Sequence, residues 1–133
     1  MAHFRTVHGC GVRPERLAEV RILIVEDDPF VALDLECILR ESADAEICTA
    51  STLAQARRCA LEPIDFAFLD IDMPDGKIFP VAADLRRRGV PFVFVSGALL
   101  NEIPAMLRDV PFISKPYKVW QICENLRASA RAS

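Results

Sequence analysis

What this chain lacks narrows its chemistry before any motif is read. No apolar run reaches the roughly 20 residues that a bilayer-spanning helix needs. The N-terminus has no short apolar core of the kind that marks a secretory signal. Net charge is only −3, so there is no electrostatic case for nucleic-acid or membrane binding. The five cysteines, Cys10, Cys37, Cys48, Cys59 and Cys123, contain no C-x-x-C pair. They are expected as buried free thiols, with Cys37, Cys59 and Cys123 acting as small apolar residues inside helices. His3, His8 and Cys10 are read as part of an unstructured tail rather than as a metal site. No internal repeat, low-complexity stretch or second domain is visible. The expectation is one cytoplasmic domain, with 133 residues burying roughly two-thirds of their unfolded surface.

What is present is a rhythm. Residues 1–20 carry Gly9, Gly11 and Pro14 without a clear period and read as a leader, or as a short helix over 14–19. From residue 21 strands alternate with helices to about residue 130, leaving 131–133 as a tail. Expected strands are Arg21–Val25, Glu46–Ala50, Phe66–Asp70, Pro91–Val95 and Pro111–Ser114. "RILIV", "DFAFLD" and "PFVFV" are nearly continuous apolar runs, as strands covered on both faces require. "EICTA" is more mixed and reads as an edge strand. Asp28 before Pro29 is a cap and first-turn pair opening a helix to about Ser42. Thr52 and Gln55 match a capping box for a helix to Leu61, which Pro63 ends. A third helix is expected from Phe79 to Arg88, closed by Gly89. The cations Arg86, Arg87 and Arg88 in its last turn suit the helix dipole. A short fourth helix from Asn101 to about Asp109 has to accommodate Pro104. A fifth spans Val119 to Ala130. This order implies an α/β domain with a parallel sheet and right-handed crossovers.

Sites in such sheets form beyond the carboxyl ends of the strands. There the sequence places Glu26, Asp27 and Asp28 at the end of the first strand, and Asp70, then Asp72, at the end of the third. The fourth strand ends in Ser96 and Gly97; the fifth ends in Ser114, Lys115 and Pro116. Glu26, Asp27 and Asp70 on adjacent strands would bring three carboxylates together, an arrangement that a cation must relieve. Hard oxygen ligands suit Mg²⁺, and Lys115 adds a fixed positive charge across the cleft. With Ser96 and backbone N–H groups, the set suits phosphoryl chemistry with an aspartyl phosphate as its covalent product. Asp28 is assigned to helix capping rather than to the metal.

At these residues the chain resembles the receiver domain of two-component response regulators. The pieces are "ILIVEDDP", "FAFLDIDMPDG", "PFVFVSG" and "FISKPY", covering about residues 20–130. The stretch from Leu69 to Gly97 is especially similar to stand-alone alphaproteobacterial receivers. The resemblance implies a flavodoxin-like (CheY-like) five-stranded parallel sheet, order 2-1-3-4-5, with helices on both faces. It implies that Asp70 accepts a phosphoryl group from a histidine kinase or histidine phosphotransfer protein. Glu26, Asp27, Asp70 and the backbone carbonyl of Asp72 would hold Mg²⁺. Lys115 would pair with phosphoryl oxygens beside a cis peptide to Pro116. Ser96 and Phe112 would be the switch residues. The chain departs from the family at Asp72, an extra acid, and at Phe112, which has no hydroxyl. It departs also in the short Ser96–Lys115 interval, which contains Pro104.

Three functions follow. The first is a phosphorylatable switch without an output domain, acting on a downstream protein target, not an enzyme beyond its own phosphorylation and dephosphorylation. The second is a phosphatase of the haloacid-dehalogenase type, with Asp72 as general acid/base. The third is a degenerate receiver serving as an unphosphorylated adaptor. A homodimer is left open; direct nucleic-acid or membrane partners are not expected.

Overall fold

The computed structural model describes residues 4–7, 17–98 and 100–132. In chain order the strands are β1 (Arg5–Val7), β2 (Leu17–Val25), β3 (Ala43–Ala50), β4 (Phe66–Leu69), β5 (Asp72–Met73), β6 (Gly76–Lys77), β7 (Phe92–Ser96) and β8 (Phe112–Ser114). The helices are α1 (Pro29–Ser42), α2 (Leu53–Cys59), α3 (Phe79–Arg87) and α4 (Val119–Ala132).

The main sheet has the order β1-β3-β2-β4-β7-β8. Its pairings β3–β2, β2–β4, β4–β7 and β7–β8 are all parallel. Counted from β2, these five strands run 2-1-3-4-5, the flavodoxin-like order. Side chains alternate between the two faces. Leu23, Val25, Ala67, Leu69 and Phe94 point to a core shared with Leu53 and Ala56 of α2 and Val81 and Leu85 of α3. Ile22, Ile24, Phe66, Phe68 and Val93 point to a second core with Leu35 and Leu39 of α1 and Ile122 and Leu126 of α4. Two covered faces are why the strands read as unbroken apolar runs. Each large side chain buried here contributes roughly 2 kcal/mol of transfer free energy.

Several expectations need correction. The leader is not without structure: Arg5–Val7 adds a strand antiparallel to β3, and β2 begins at Leu17. Residues 17–19 are therefore strand rather than helix; 14–16, like His3, His8 and Cys10, lie outside the described residues. With β1 beside it, β3 is internal, and its mixed composition reflects partly covered positions rather than a sheet edge. The side chain of Arg21 stacks its guanidinium 4.3 Å from the Phe4 ring, helping to hold the added segment. The fourth helix is absent. Two 3₁₀ turns, Leu100–Glu102 and Ala105–Leu107, occupy its place, with Pro104 extended between them at ψ 145°. Proline's missing N–H and its restriction of Ile103 prevent a continuous helical ladder. The last helix runs on to Ala132 instead of fraying at 130. Cys48 and Cys59 are not free thiols: β3 and α2 bring their Cα atoms to 6.3 Å and a disulfide joins them. Cys37 and Cys123 are free, as expected, but half-buried rather than buried.

No helix among the described residues is long and apolar enough to cross a membrane.

Candidate functional site

The parallel register brings the polar strand ends to one level. Val25 of β2 lies opposite Leu69 of β4, so the residues that follow, Glu26 and Asp70, emerge side by side. The ladder continues one step past each strand. The N–H of Asp70 donates to Val25 O at 2.9 Å, and that of Glu26 to Ala50 O at 2.9 Å. On the other flank Ser96 pairs with Ser114, and the Lys115 N–H donates to Ser96 O at 3.1 Å. The Lys115–Pro116 peptide is cis, as the resemblance implied.

Glu26, Asp27 and Asp70 each offer a carboxylate oxygen within 4.8 Å of the others. Glu26 and Asp70 are buried while Asp27 is exposed, which leaves the group open to solvent on one side. Lys115 closes the other side. Its ammonium donates to Glu26 Oε1 at 2.6 Å and to Asp70 Oδ2 at 3.0 Å. The second Asp70 oxygen accepts from the Ile71 N–H at 2.7 Å. Glu26 Oε2 accepts from the Asp28 N–H at 3.0 Å.

Burial pushes the Glu26 carboxyl above the usual range; its bonds to Lys115 and Asp28 oppose this, and the Asp70 charge adds to it. For Lys115, burial works against the charge, yet the bonds to Glu26 and Asp70 outweigh it and raise its pKa. The amine is therefore a permanent cation. An all-oxygen donor set of this size fits a hard divalent ion with water completing its shell.

Asp28 takes the role assigned to it. Its Oδ1 accepts from the N–H groups of Phe30, at 2.9 Å, and Val31, at 3.4 Å, capping α1. Ser96 is buried at the end of β7, with its Oγ accepting from the Ala98 N–H at 3.2 Å. Phe112 is half-buried on β8, its ring centroid 6.5 Å from that of Phe94.

Asp72 is brought to the rim but not into the carboxylate group. Its side chain is exposed and ion-paired with Lys77 on the facing strand of the β5–β6 hairpin. The capping box of α2 is also shifted. The Gln55 N–H donates to Thr52 Oγ1, but the Gln55 amide returns to the N–H of Ser51, not of Thr52.

Two contributors were missed from sequence. Asp75 reaches from the hairpin turn to accept from the N–H groups of Leu53, at 2.8 Å, and Ala54, at 3.2 Å, tying the hairpin to the start of α2. Lys77 bridges Asp72 and Glu102. Only the "PDG" turn signal hinted at the first; nothing local marks the second.

A five-stranded 2-1-3-4-5 sheet with an acidic cluster and a lysine at its carboxyl rim defines a receiver-type domain. No protein-family model matches the chain. It is 34% identical to SdrG from Sphingomonas melonis Fr1, covering 84% of this chain and 96% of that one, with a TM-score of 0.67. The BeF3-activated conformation of SdrG, from Pseudomonas melonis Fr1, is 35% identical over 81% of this chain and 93% of that one, with a TM-score of 0.62. The non-phosphorylated HemR receiver domain from Leptospira biflexa is 25% identical over 83% of this chain and 93% of that one, with a TM-score of 0.66. Among curated proteins, the transcriptional regulatory protein TcrA from Mycobacterium tuberculosis is 29% identical over 136 residues, 96% of this chain and 52% of the relative. The chain thus spans about half the length of the curated relatives it matches. It belongs to the response regulator receiver family of two-component systems.

Proposed function

We propose that this chain is a phosphorylatable switch that accepts a phosphoryl group on Asp70 from a phosphohistidine of a histidine kinase or phosphotransfer protein. The observation that carries the reading is the Lys115 ammonium held between Glu26 and Asp70 at the strand rim. In the transfer, an Asp70 carboxylate oxygen attacks phosphorus in line. A P–O bond forms while the P–N bond breaks, its electron pair returning to the donor imidazole. Glu26, Asp27, Asp70 and the Asp72 backbone carbonyl are the residues to hold Mg²⁺, which when bound supplies positive charge to the phosphoryl oxygens. Lys115 supplies a second cation, half-buried and already in place. Ser96 is the hydroxyl to follow the phosphoryl group: its Oγ accepts from the Ala98 N–H, which leaves its O–H to donate to a phosphoryl oxygen.

The modified domain then engages a downstream protein, and hydrolysis of the aspartyl phosphate resets it. Any contribution of Phe112 is one of packing against Phe94, because its ring carries no hydroxyl. The similarity to a BeF3-activated relative supports a phosphoryl-responsive rim. A cytoplasmic location fits donors of this kind.

Intact-mass measurement after acetyl phosphate treatment tests the reading. One phosphoryl adduct is expected with Mg²⁺, none after chelation and none in Asp70→Asn. A chain that stays unmodified with Mg²⁺ present would instead be an unphosphorylated adaptor. Steady turnover of small phosphomonoesters would restore the phosphatase reading.

A further inference from the structure

The hairpin that follows the phosphoacceptor strand is pinned at two points. Its tip residue Asp75 caps α2. Nearer its base, Asp72 and Lys77 sit directly opposite each other in the β5–β6 register. Residues opposed in this way project to the same face, so their side chains are natural partners. Lys77 meets the Asp72 carboxylate and also lies 3.4 Å from Glu102 in the first 3₁₀ turn after Ser96. The ammonium is thus fixed between two anions on different segments. Among the described residues, the carboxylates close enough to share a cation are Glu26, Asp27 and Asp70; Asp72 is not one of them, although only Ile71 separates it from Asp70.

We infer that Lys77 is a positioning residue that keeps the Asp72 carboxylate turned out of the cation cluster, lowering the negative charge that the bound ion meets. The inference rests on the Mg²⁺ site assigned above. An acid at residue 72 is a liability for a switch that must release its ion and its phosphoryl group. A carboxylate swung inward would add a fourth anion and hold the cation more tightly. The Lys77 pairing allows the acid to stand beside the site without joining it. Both side chains are about half exposed, so the pair adds little to folding stability and its consequence is electrostatic.

Isothermal titration with Mg²⁺ on the full chain tests this in wild type, Lys77→Met, Lys77→Arg, Asp72→Asn and the Lys77→Met/Asp72→Asn pair. Lys77→Met is expected to tighten Mg²⁺ by about fivefold, the scale of one unit charge several ångströms from a divalent ion near water. Lys77→Arg, which keeps the pairing, is expected to stay at the wild-type value. In the Asp72→Asn background the methionine substitution is expected to change affinity by less than about twofold, as a coupling carried through residue 72 requires. An unchanged affinity in Lys77→Met overturns the inference while leaving the metal site intact. An equal gain in both backgrounds also overturns it, because the lysine charge would then act directly through space. A wild-type chain that binds no Mg²⁺ overturns the metal assignment itself, and this inference with it.

Discussion

Lys115 and Glu26 stand 89 residues apart in the chain and meet at 2.6 Å. The glutamate side chain is 2% exposed and the lysine 23%. A carboxylate buried to that degree depends on its cation. Lys115→Met is expected to destabilise the fold by roughly 2 kcal/mol, below the usual cost of breaking a fully buried pair because the lysine reaches water. Lys115→Met combined with Glu26→Gln should recover part of the loss, since the Glu26 charge is then removed and only the Asp70 carboxylate lacks its cation. Urea unfolding of the three proteins measures both; additive losses would show that the pair is not coupled.

Asp28 separates capping from metal binding. Its Oδ1 holds two N–H groups of the first turn of α1. Asp28→Ala should cost about 1 kcal/mol of stability, while Asp28→Ser should restore most of it. Mg²⁺ affinity should stay within about threefold of wild type, since the residue lies outside the close carboxylate group. A large loss of Mg²⁺ binding in both variants would make it a ligand.

Asp75 supplies the pH-dependent prediction. Its bond from the Leu53 N–H, with that from Ala54, holds its carboxyl below the usual range. A depressed folded pKa contributes stability that is present above the unfolded value and disappears as pH falls through the folded one. Asp75→Ala should therefore lower the melting temperature at neutral pH. The gap to wild type should narrow as the pH drops below about 4 toward 3. A gap that persists unchanged at low pH would place the effect in packing rather than in the cap.

The parts of this molecule that were legible in sequence are those set by local chemistry or by short periods. Asp28–Pro29 fixed the start of α1 because a side-chain cap and a preset φ act within one turn. The apolar runs of β2, β4 and β7 reported two covered faces because each residue's environment follows from strand alternation. Glu26, Asp70, Ser96 and Lys115 were found together because a parallel sheet delivers every strand's end to one edge. What was illegible depends on pairings that local spacing does not encode. Arg5–Val7 is too short to show a period, and it is held by partners some 40 residues away, as the Thr6–Glu46 register shows. Cys48 and Cys59 meet only because α2 folds back over β3. Lys77 finds Glu102 across 25 residues, and that segment could be placed only after Pro104 had broken the fourth helix into two turns.

Asp27 offers the cleanest separation of ion binding from folding. It belongs to the carboxylate group yet is exposed, so replacing it opens no cavity and strands no buried partner. Asp27→Asn should therefore leave stability in chelator within about 0.5 kcal/mol of wild type. Addition of Mg²⁺ should raise wild-type stability by linkage, about 2.7 kcal/mol at a hundredfold excess over Kd. In Asp27→Asn the same Mg²⁺ concentration should give a much smaller gain, because one anionic ligand of three is lost. Thermal melts with a Mg²⁺ titration, run in parallel with Ca²⁺ and with ionic strength matched by monovalent salt, separate specific binding from screening. Equal shifts in wild type and Asp27→Asn would mean that the ion binds elsewhere, and would remove Asp27 from the site.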